Sequence, residues 1–284
     1  MKIHVARSAG FCFGVKRAIA IALQLSRTKK QVKMLGDIVH NEEVVQQVKE
    51  TGIQKISRLK DGKGKTLLIR AHGTGMATYR KAAQRGYEIV DATCPMVKEI
   101  HTIARTMEAR GYRILIIGDK KHDEVRGIMG QLTHRAVVID SPSSIPFTPL
   151  RRTQKAAIVV QSTQDQRKVG EIVSALKPRI HDLKVFVTIC RPTRLKQQEI
   201  KEMPLANEVM IIIGSQSSAN TRRLYEISKT INPRSYWIQS EKDVRKAWFH
   251  GVKTVGITSG SSTPDTTTQG VIARIKTFTK NPSR

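Results

Sequence analysis

The sequence predicts an α/β protein built of three related lobes with mostly parallel sheets, and two observations carry that prediction. Short runs rich in Val, Ile and Leu alternate with segments of helical apolar spacing, the pattern of parallel strands joined by helical crossovers. A longer unit also recurs: Cys12 precedes Gly36 by the same interval as Cys94 precedes Gly118 and Cys190 precedes Gly214. These are all the cysteines of the 284-residue chain. A period this long does not suit a solenoid, so the units read as lobes related by a pseudo-threefold about a shared centre where the cysteines meet. The expected lobes are 13–93, 94–189 and 190–284, the last completed by residues 1–12.

In chain order, Lys2 to Ala6 reads as a strand, and Val15, Ala18, Ile19, Ala22 and Leu23 keep helical spacing after the loop from Ser8 to Gly14. Cys12 is thereby placed at a helix N-terminus, where the helix dipole stabilises the thiolate a metal ligand needs. Val32 to Leu35 is the next strand, Gly36-Asp37 turns it into a loop carrying His40, and Val44, Val45 and Val48 continue as a helix. Glu42 and Glu43 read as ordinary first-turn carboxylates without chemistry. Asp61 to Thr66 is similar to the end of a phosphate-binding loop, but Leu59 replaces its first glycine and a strand, Leu67 to Ile69, follows it. That strand runs into Ala71-His72-Gly73-Thr74-Gly75, with a helix from about Met76; Gly73-x-Gly75 is a weak dinucleotide signal because Thr78 replaces the third glycine.

Tyr87 to Val90 leads to Cys94, after which Pro95 suits a first helical position and Val97, Ile100, Ala104 and Met107 form one apolar face. Arg113 to Ile117 precedes Gly118, Ile158 to Val160 precedes Gln161-Ser162-Thr163, and Val185 to Val187 leads to Cys190. In the third unit Leu195 and Ile200 lie on a helix, and the strands Val209 to Ile213 and Thr254 to Ile257 precede Gly214 and Thr258. This unit ends on a helix, about Asp265 to Phe278, with no strand after it. Lys2 to Ala6 is expected to supply the missing strand. No linker, low-complexity segment or disordered tail is seen other than the last few residues.

Fifty Lys and Arg against 23 Asp and Glu give a formal charge of +27, which suits an anionic partner or substrate. The basic residues are scattered, without a dense run or interleaved aromatics, so no specific nucleic-acid site is expected. No apolar run reaches membrane-spanning length and the N-terminus lacks a signal-peptide core, so the expected setting is cytoplasmic. Three cysteines there do not form a disulfide framework.

Three thiolates leave two metal readings. Zinc with three Cys and one of His40, His72 or His122 is the first, though local Cys pairs are absent. A cubane iron-sulfur cluster with one open iron is the better fit, since three distant cysteines bind three irons. Counted from the glycine of each unit, matched positions carry His40, His122 and Ser218, then Glu42, Glu124 and Asn220. With His72, Thr163 and Ser262 they offer hydrogen bonds for a phosphate or diphosphate and one acid, Glu124, able to deliver a proton.

Gly10-Phe11-Cys12-x-Gly14-Val15-x-Arg17-Ala18, Val39-His40-Asn41, Ala71-His72-Gly73, Asp91-Ala92-Thr93-Cys94-Pro95, His122-x-Glu124-Val125-x-Gly127 and Thr258-x-Gly260-x-Ser262-x-Pro264 together resemble the 4-hydroxy-3-methylbut-2-enyl diphosphate reductase family. The resemblance covers essentially the whole chain. It implies a trefoil of three lobes around a [4Fe-4S] cluster held by Cys12, Cys94 and Cys190, and reductive removal of an allylic hydroxyl from a diphosphate substrate. It further implies that Glu124, aided by Thr163, supplies protons, and that His40, His72, His122, Ser218, Asn220 and Ser262 hold the diphosphate. The cationic surface suggests an acidic ferredoxin or flavodoxin as electron donor. Three residues depart from the family pattern. Ala219 replaces a serine and is expected to lose one diphosphate contact. Lys196 replaces a frequent arginine. Asp123 replaces a proline and would raise the Glu124 pKa if both faced one cavity.

Overall fold

The structure, a computed structural model, describes residues 1–280; the tail expected at the last few residues lies outside them. Every strand pairing is parallel, and the strands form three four-stranded sheets. After β1 (Lys2–Val5) and α1 (Phe13–Thr28), the first sheet is built from β2 (Val32–Leu35), β3 (Gln54–Ile56), β4 (Thr66–Ile69) and β5 (Glu88–Asp91), with α2 (Glu42–Glu50) and α3 (Met76–Gln84) as crossovers. After α4 (Pro95–Ala109), the second contains β6 (Arg113–Ile117), β7 (Val137–Ile139), β8 (Lys155–Val160) and β9 (Asp182–Phe186), connected through α5 (Asp123–Met129), α6 (Phe147–Leu150) and α7 (Gln166–Leu176). After α8 (Arg191–Ala206), the third joins β10 (Val209–Ile213), β11 (Ser235–Ile238) and β12 (Thr254–Ser259) through α9 (Ala219–Ile231), and α10 (Asp265–Lys280) follows.

The three sheets share one strand order: β3-β2-β4-β5, β7-β6-β8-β9 and β11-β10-β12-β1. In each, the strand that leads to a cysteine stands at one edge. For the third sheet that strand is β1, paired with β12 from Lys2 opposite Thr254 to Val5 opposite Ile257. The strands before Gly36, Gly118 and Gly214 are central, so their loops open at the carboxyl ends of the sheets, where crossover topology leaves a crevice for ligands.

Alternation along the central strands decides what each face packs on. In β6 and β8, Leu115, Ile117, Ile158 and Val160 face Val169, Ile172 and Leu176 of α7, while Ile114, Ile116 and Val159 face Ile100 and Ala104 of α4 and Val125 and Ile128 of α5. Both faces are covered, which is why these strands read as unbroken apolar runs. The third sheet repeats the arrangement: Val209, Ile211, Ile213, Val255 and Ile257 pack on Val271 and Ile275 of α10, and Met210 and Ile212 on Ile200 of α8 and Leu224 of α9. The edge strands β3, β7 and β11 escape a reading by apolar runs because they are short or interrupted by polar residues.

By packing, the described chain separates into two compact units. One holds Met1–Val15, His40–Val44 and the residues from Arg191 onward; the other holds Lys16–Val39 and Val45–Cys190. The first contains the third sheet, and the second contains the other two.

Candidate active site

In the unit with two sheets, Cys94 caps α4 and Cys190 immediately precedes α8 in sequence; both thiols are half-buried. The Cys94 N–H donates to the Ala71 carbonyl at 2.9 Å, joining this ligand candidate to the loop that carries His72. The Cys190 N–H donates to the Ser162 carbonyl at 3.1 Å. Ser162 then turns its other groups to Glu124: its N–H donates to Oε1 at 2.6 Å and its hydroxyl to Oε2 at 2.8 Å. Glu124 is 2% exposed. Burial pushes its pKa above the ordinary carboxylate value, and the two Ser162 bonds oppose that rise without cancelling it.

Ser162, not Thr163, is therefore the hydroxyl in contact with the acid. The Thr163 hydroxyl instead accepts a hydrogen bond from the Gln161 amide at 3.0 Å. Adjacent residues leaving a strand point different ways, and the sequence motif alone does not say which faces α5. Asp123, which would raise the Glu124 pKa only if both faced one cavity, is paired with Arg70 at 2.6 Å and takes no part in the shift.

His122 caps α5 by accepting the Glu124 N–H on Nδ1 at 3.2 Å, which leaves Nε2 as the ring's donor in the neutral form. Its ring meets that of His72 edge-on, centroids 5.6 Å apart. The loop bearing His72 is clasped to the end of α5: the Met76 N–H donates to the Gly130 carbonyl at 2.8 Å, and the Gln131 amide to the Thr74 carbonyl at 2.6 Å. Gly75 makes the clasp possible. A Cβ there would lie 2.8 Å from the Gly130 Cα, so the weak Gly73-x-Gly75 signal reflects backbone meeting backbone.

His101, on α4 behind this loop, was not singled out by the sequence. It is 5% exposed, its Nε2 has no hydrogen-bond partner, and burial, reinforced by Arg105, pushes its pKa down to about 4. The folded protein resists a proton that the unfolded chain accepts near pH 6.5. This contribution to stability is therefore complete above pH 6.5 and is lost as pH falls towards about 4. Urea unfolding of metal-free protein is expected to show the wild type losing about 2 kcal/mol more than His101→Gln between pH 7 and pH 5. Parallel losses in the two proteins would refute the assignment.

In the other unit, Cys12 is half-buried immediately before α1, its N–H donating to the Ser261 carbonyl at 3.1 Å. Ser218 caps α9, accepting the Thr221 N–H at 3.2 Å. Asn220 is 5% exposed, and both polar atoms of its amide are buried without a hydrogen-bond partner. Leaving an amide so costs about 1–3 kcal/mol, which a ligand able to accept and donate would offset. The Ser262 hydroxyl donates to the His40 carbonyl at 2.9 Å and so fixes the loop of that histidine. Glu42 and Glu43 lie in the first turn of α2 as expected, and they also accept the hydroxyls of Ser215 and Thr267, each at 2.8 Å. Lys196 lies on the segment leading to Cys12.

None of the three cysteines is in a disulfide, and each stands at the start of a helix. Among the described residues no group of three or more His, Cys, Asp and Glu side chains is drawn together for a metal ion, and no helix is long and apolar enough to cross a membrane.

The LytB protein family model matches residues 3–276. The chain is 36% identical over 280 residues to a 4-hydroxy-3-methylbut-2-enyl diphosphate reductase of Pelobacter propionicus, covering 99% of each chain. It is 37% identical over 278 residues to a protein of the same name from Aquifex aeolicus, covering 96% of each. Among solved structures it is similar to an (E)-4-hydroxy-3-methyl-but-2-enyl diphosphate reductase described as the terminal enzyme of the non-mevalonate pathway, with TM-score 0.72, 36% identity and coverage of 98% of this chain and 100% of that one. The corresponding enzyme of Plasmodium falciparum gives TM-score 0.86 at 26% identity, covering 99% of this chain and 88% of that one. With sequence and fold in agreement over nearly its whole length, the chain belongs to the LytB protein family.

Proposed function

We propose that this protein reduces 4-hydroxy-3-methylbut-2-enyl diphosphate to isopentenyl and dimethylallyl diphosphates, two electrons and two protons removing the allylic hydroxyl as water. The observation that carries the reading is the buried Glu124 carboxyl with its pKa raised, one residue, Ser162, linking it to the amide of Cys190. The donor set suits an iron-sulfur group: three half-buried thiols outside disulfides, each at a helix N-terminus that favours the thiolate. A [4Fe-4S] cluster on Cys12, Cys94 and Cys190, when bound, supplies the electrons and one open coordination position.

The rest is done by the chain. Glu124, whose pKa burial raises in favour of the acid form, delivers a proton to the departing hydroxyl. Ser162 fixes its two oxygens, and the neighbouring Thr163, which the resemblance names as aiding Glu124, bonds to Gln161 instead. The donors of His72 and His122, together with His40, Ser218 and the amide of Asn220, bind the diphosphate, and Ser262 holds the His40 loop in place. The lobes proposed are 13–93, 94–189 and 190–284 with 1–12, a division supported by one four-stranded sheet for each. The excess of Lys and Arg favours an acidic ferredoxin or flavodoxin as donor.

The test is anaerobic purification, iron and sulfide analysis, and turnover of the diphosphate with reduced ferredoxin at rising salt. Near-stoichiometric cubane iron is expected, with both isomeric products and a rate that falls as salt increases. A protein that takes up no cluster on anaerobic reconstitution, or a loaded one that leaves the substrate unchanged, refutes the proposal.

A further inference from the structure

The segment Arg7–Cys12, which ends on the first thiol, is gripped by α8 and by the loop after β12. Glu199 accepts the N–H groups of Arg7 and Ser8, each at 3.0 Å, and the Ser8 hydroxyl. Lys196, 2% exposed, donates its ammonium to the carbonyls of Ser8, of Gly10 at 3.3 Å and of Ser259 at 2.9 Å. The Gly10 N–H donates to the Ser259 hydroxyl at 2.6 Å, and the Cys12 N–H to the Ser261 carbonyl.

Lys196 and Glu199 are three residues apart and so share a face of α8. Gly10 sits at φ +89°, and a Cβ on it would lie 2.2 Å from an Asp265 oxygen, so the segment is held as close as backbone allows. A buried ammonium is costly unless its donors are satisfied. Here three donors meet three carbonyls, which fixes the position of the charge as well as that of the loop. The acidic groups acting on it are Cys12, Glu199 and Asp265.

We propose that Lys196 and Glu199 are positioning residues that hold Cys12 as a cluster ligand, Lys196 acting also as a fixed counter-charge to the thiolate. The inference rests on the cluster reading above. It predicts two separable effects in Lys196→Met, Lys196→Arg and Glu199→Gln. In the metal-free proteins, amide exchange across Arg7–Cys12 speeds at least ~10-fold in Lys196→Met and Glu199→Gln as the anchors are lost, and Lys196→Arg stays near wild type. In the loaded proteins the midpoint potential moves down in Lys196→Met, where a positive charge is removed, and up in Glu199→Gln, where a negative one is. Lys196→Arg keeps the wild-type potential.

Unchanged exchange overturns the positioning role. Potentials that stay put, or move together in one direction, overturn the counter-charge. A wild type that takes up no cluster fails the cluster reading itself, and the ligand-holding role falls with it. A loaded wild type beside variants indistinguishable from it fails this inference alone.

Discussion

Glu124→Gln is expected to retain its cluster and lower turnover about 10³-fold, the range associated with removing one placed proton donor. The substitution keeps shape and removes the proton. Its amide meets a Ser162 N–H that still needs an acceptor, so one of the two bonds survives and the loop stays in place. The pH profile provides the second readout. Burial raises the Glu124 pKa, so the acid form persists to higher pH than in an ordinary carboxyl and turnover falls as pH rises through the raised value. In Glu124→Gln the residual rate loses this limb. Near-normal turnover, or an unchanged limb, would remove Glu124 from the proton path. Ser162→Ala should leave the acid in place and shift the limb upward, because both of its bonds to the carboxylate lower the pKa and one is lost.

Gly75→Val is the second large effect expected, here on stability. The branched side chain would enter a space where the Gly130 Cα, carbonyl oxygen and carbonyl carbon lie 2.8, 2.9 and 3.0 Å from an added Cβ. These are backbone atoms, so no rotamer change relieves the contact. Overpacking of this kind costs about 3 kcal/mol. The strain falls on the two hydrogen bonds that join the His72 loop to α5, so the edge-on pair of His72 and His122 separates. Unfolding by urea should report the loss of stability, and substrate affinity should weaken together with it. A Gly75→Val protein of wild-type stability would show that α3 can move away from Gly130 without penalty.

The three sheets were legible in the sequence because their signal is a property of the backbone. Equal spacing from cysteine to glycine reports nearly equal helix and strand lengths, and a last unit lacking its final strand pointed to Lys2–Ala6, of which Lys2–Val5 pairs with β12. Contacts between side chains distant in sequence carry no such period. Ser162 and Thr163 are both hydroxyls beside a strand end, and only the placement of α5 decides that Glu124 meets the first. Gly75 looked like half of a nucleotide motif because nothing local records that Gly130 lies against it. Lys196 looked like a lesser arginine near the third cysteine, yet its partners are the carbonyls before the first. His101 stood on the apolar side of its helix without disturbing that helix's pattern, and its buried state shows only in three dimensions.

The pairing of β1 with β12 also imposes an order on biosynthesis. β1 has no partner strand until residues 254–257 have been made. The anchors of the following segment, Lys196, Glu199, Ser259 and Ser261, are likewise translated late. Closing so long a stretch of chain is slow relative to local folding. Cys12, made before Cys94 and Cys190, is thus seated after them.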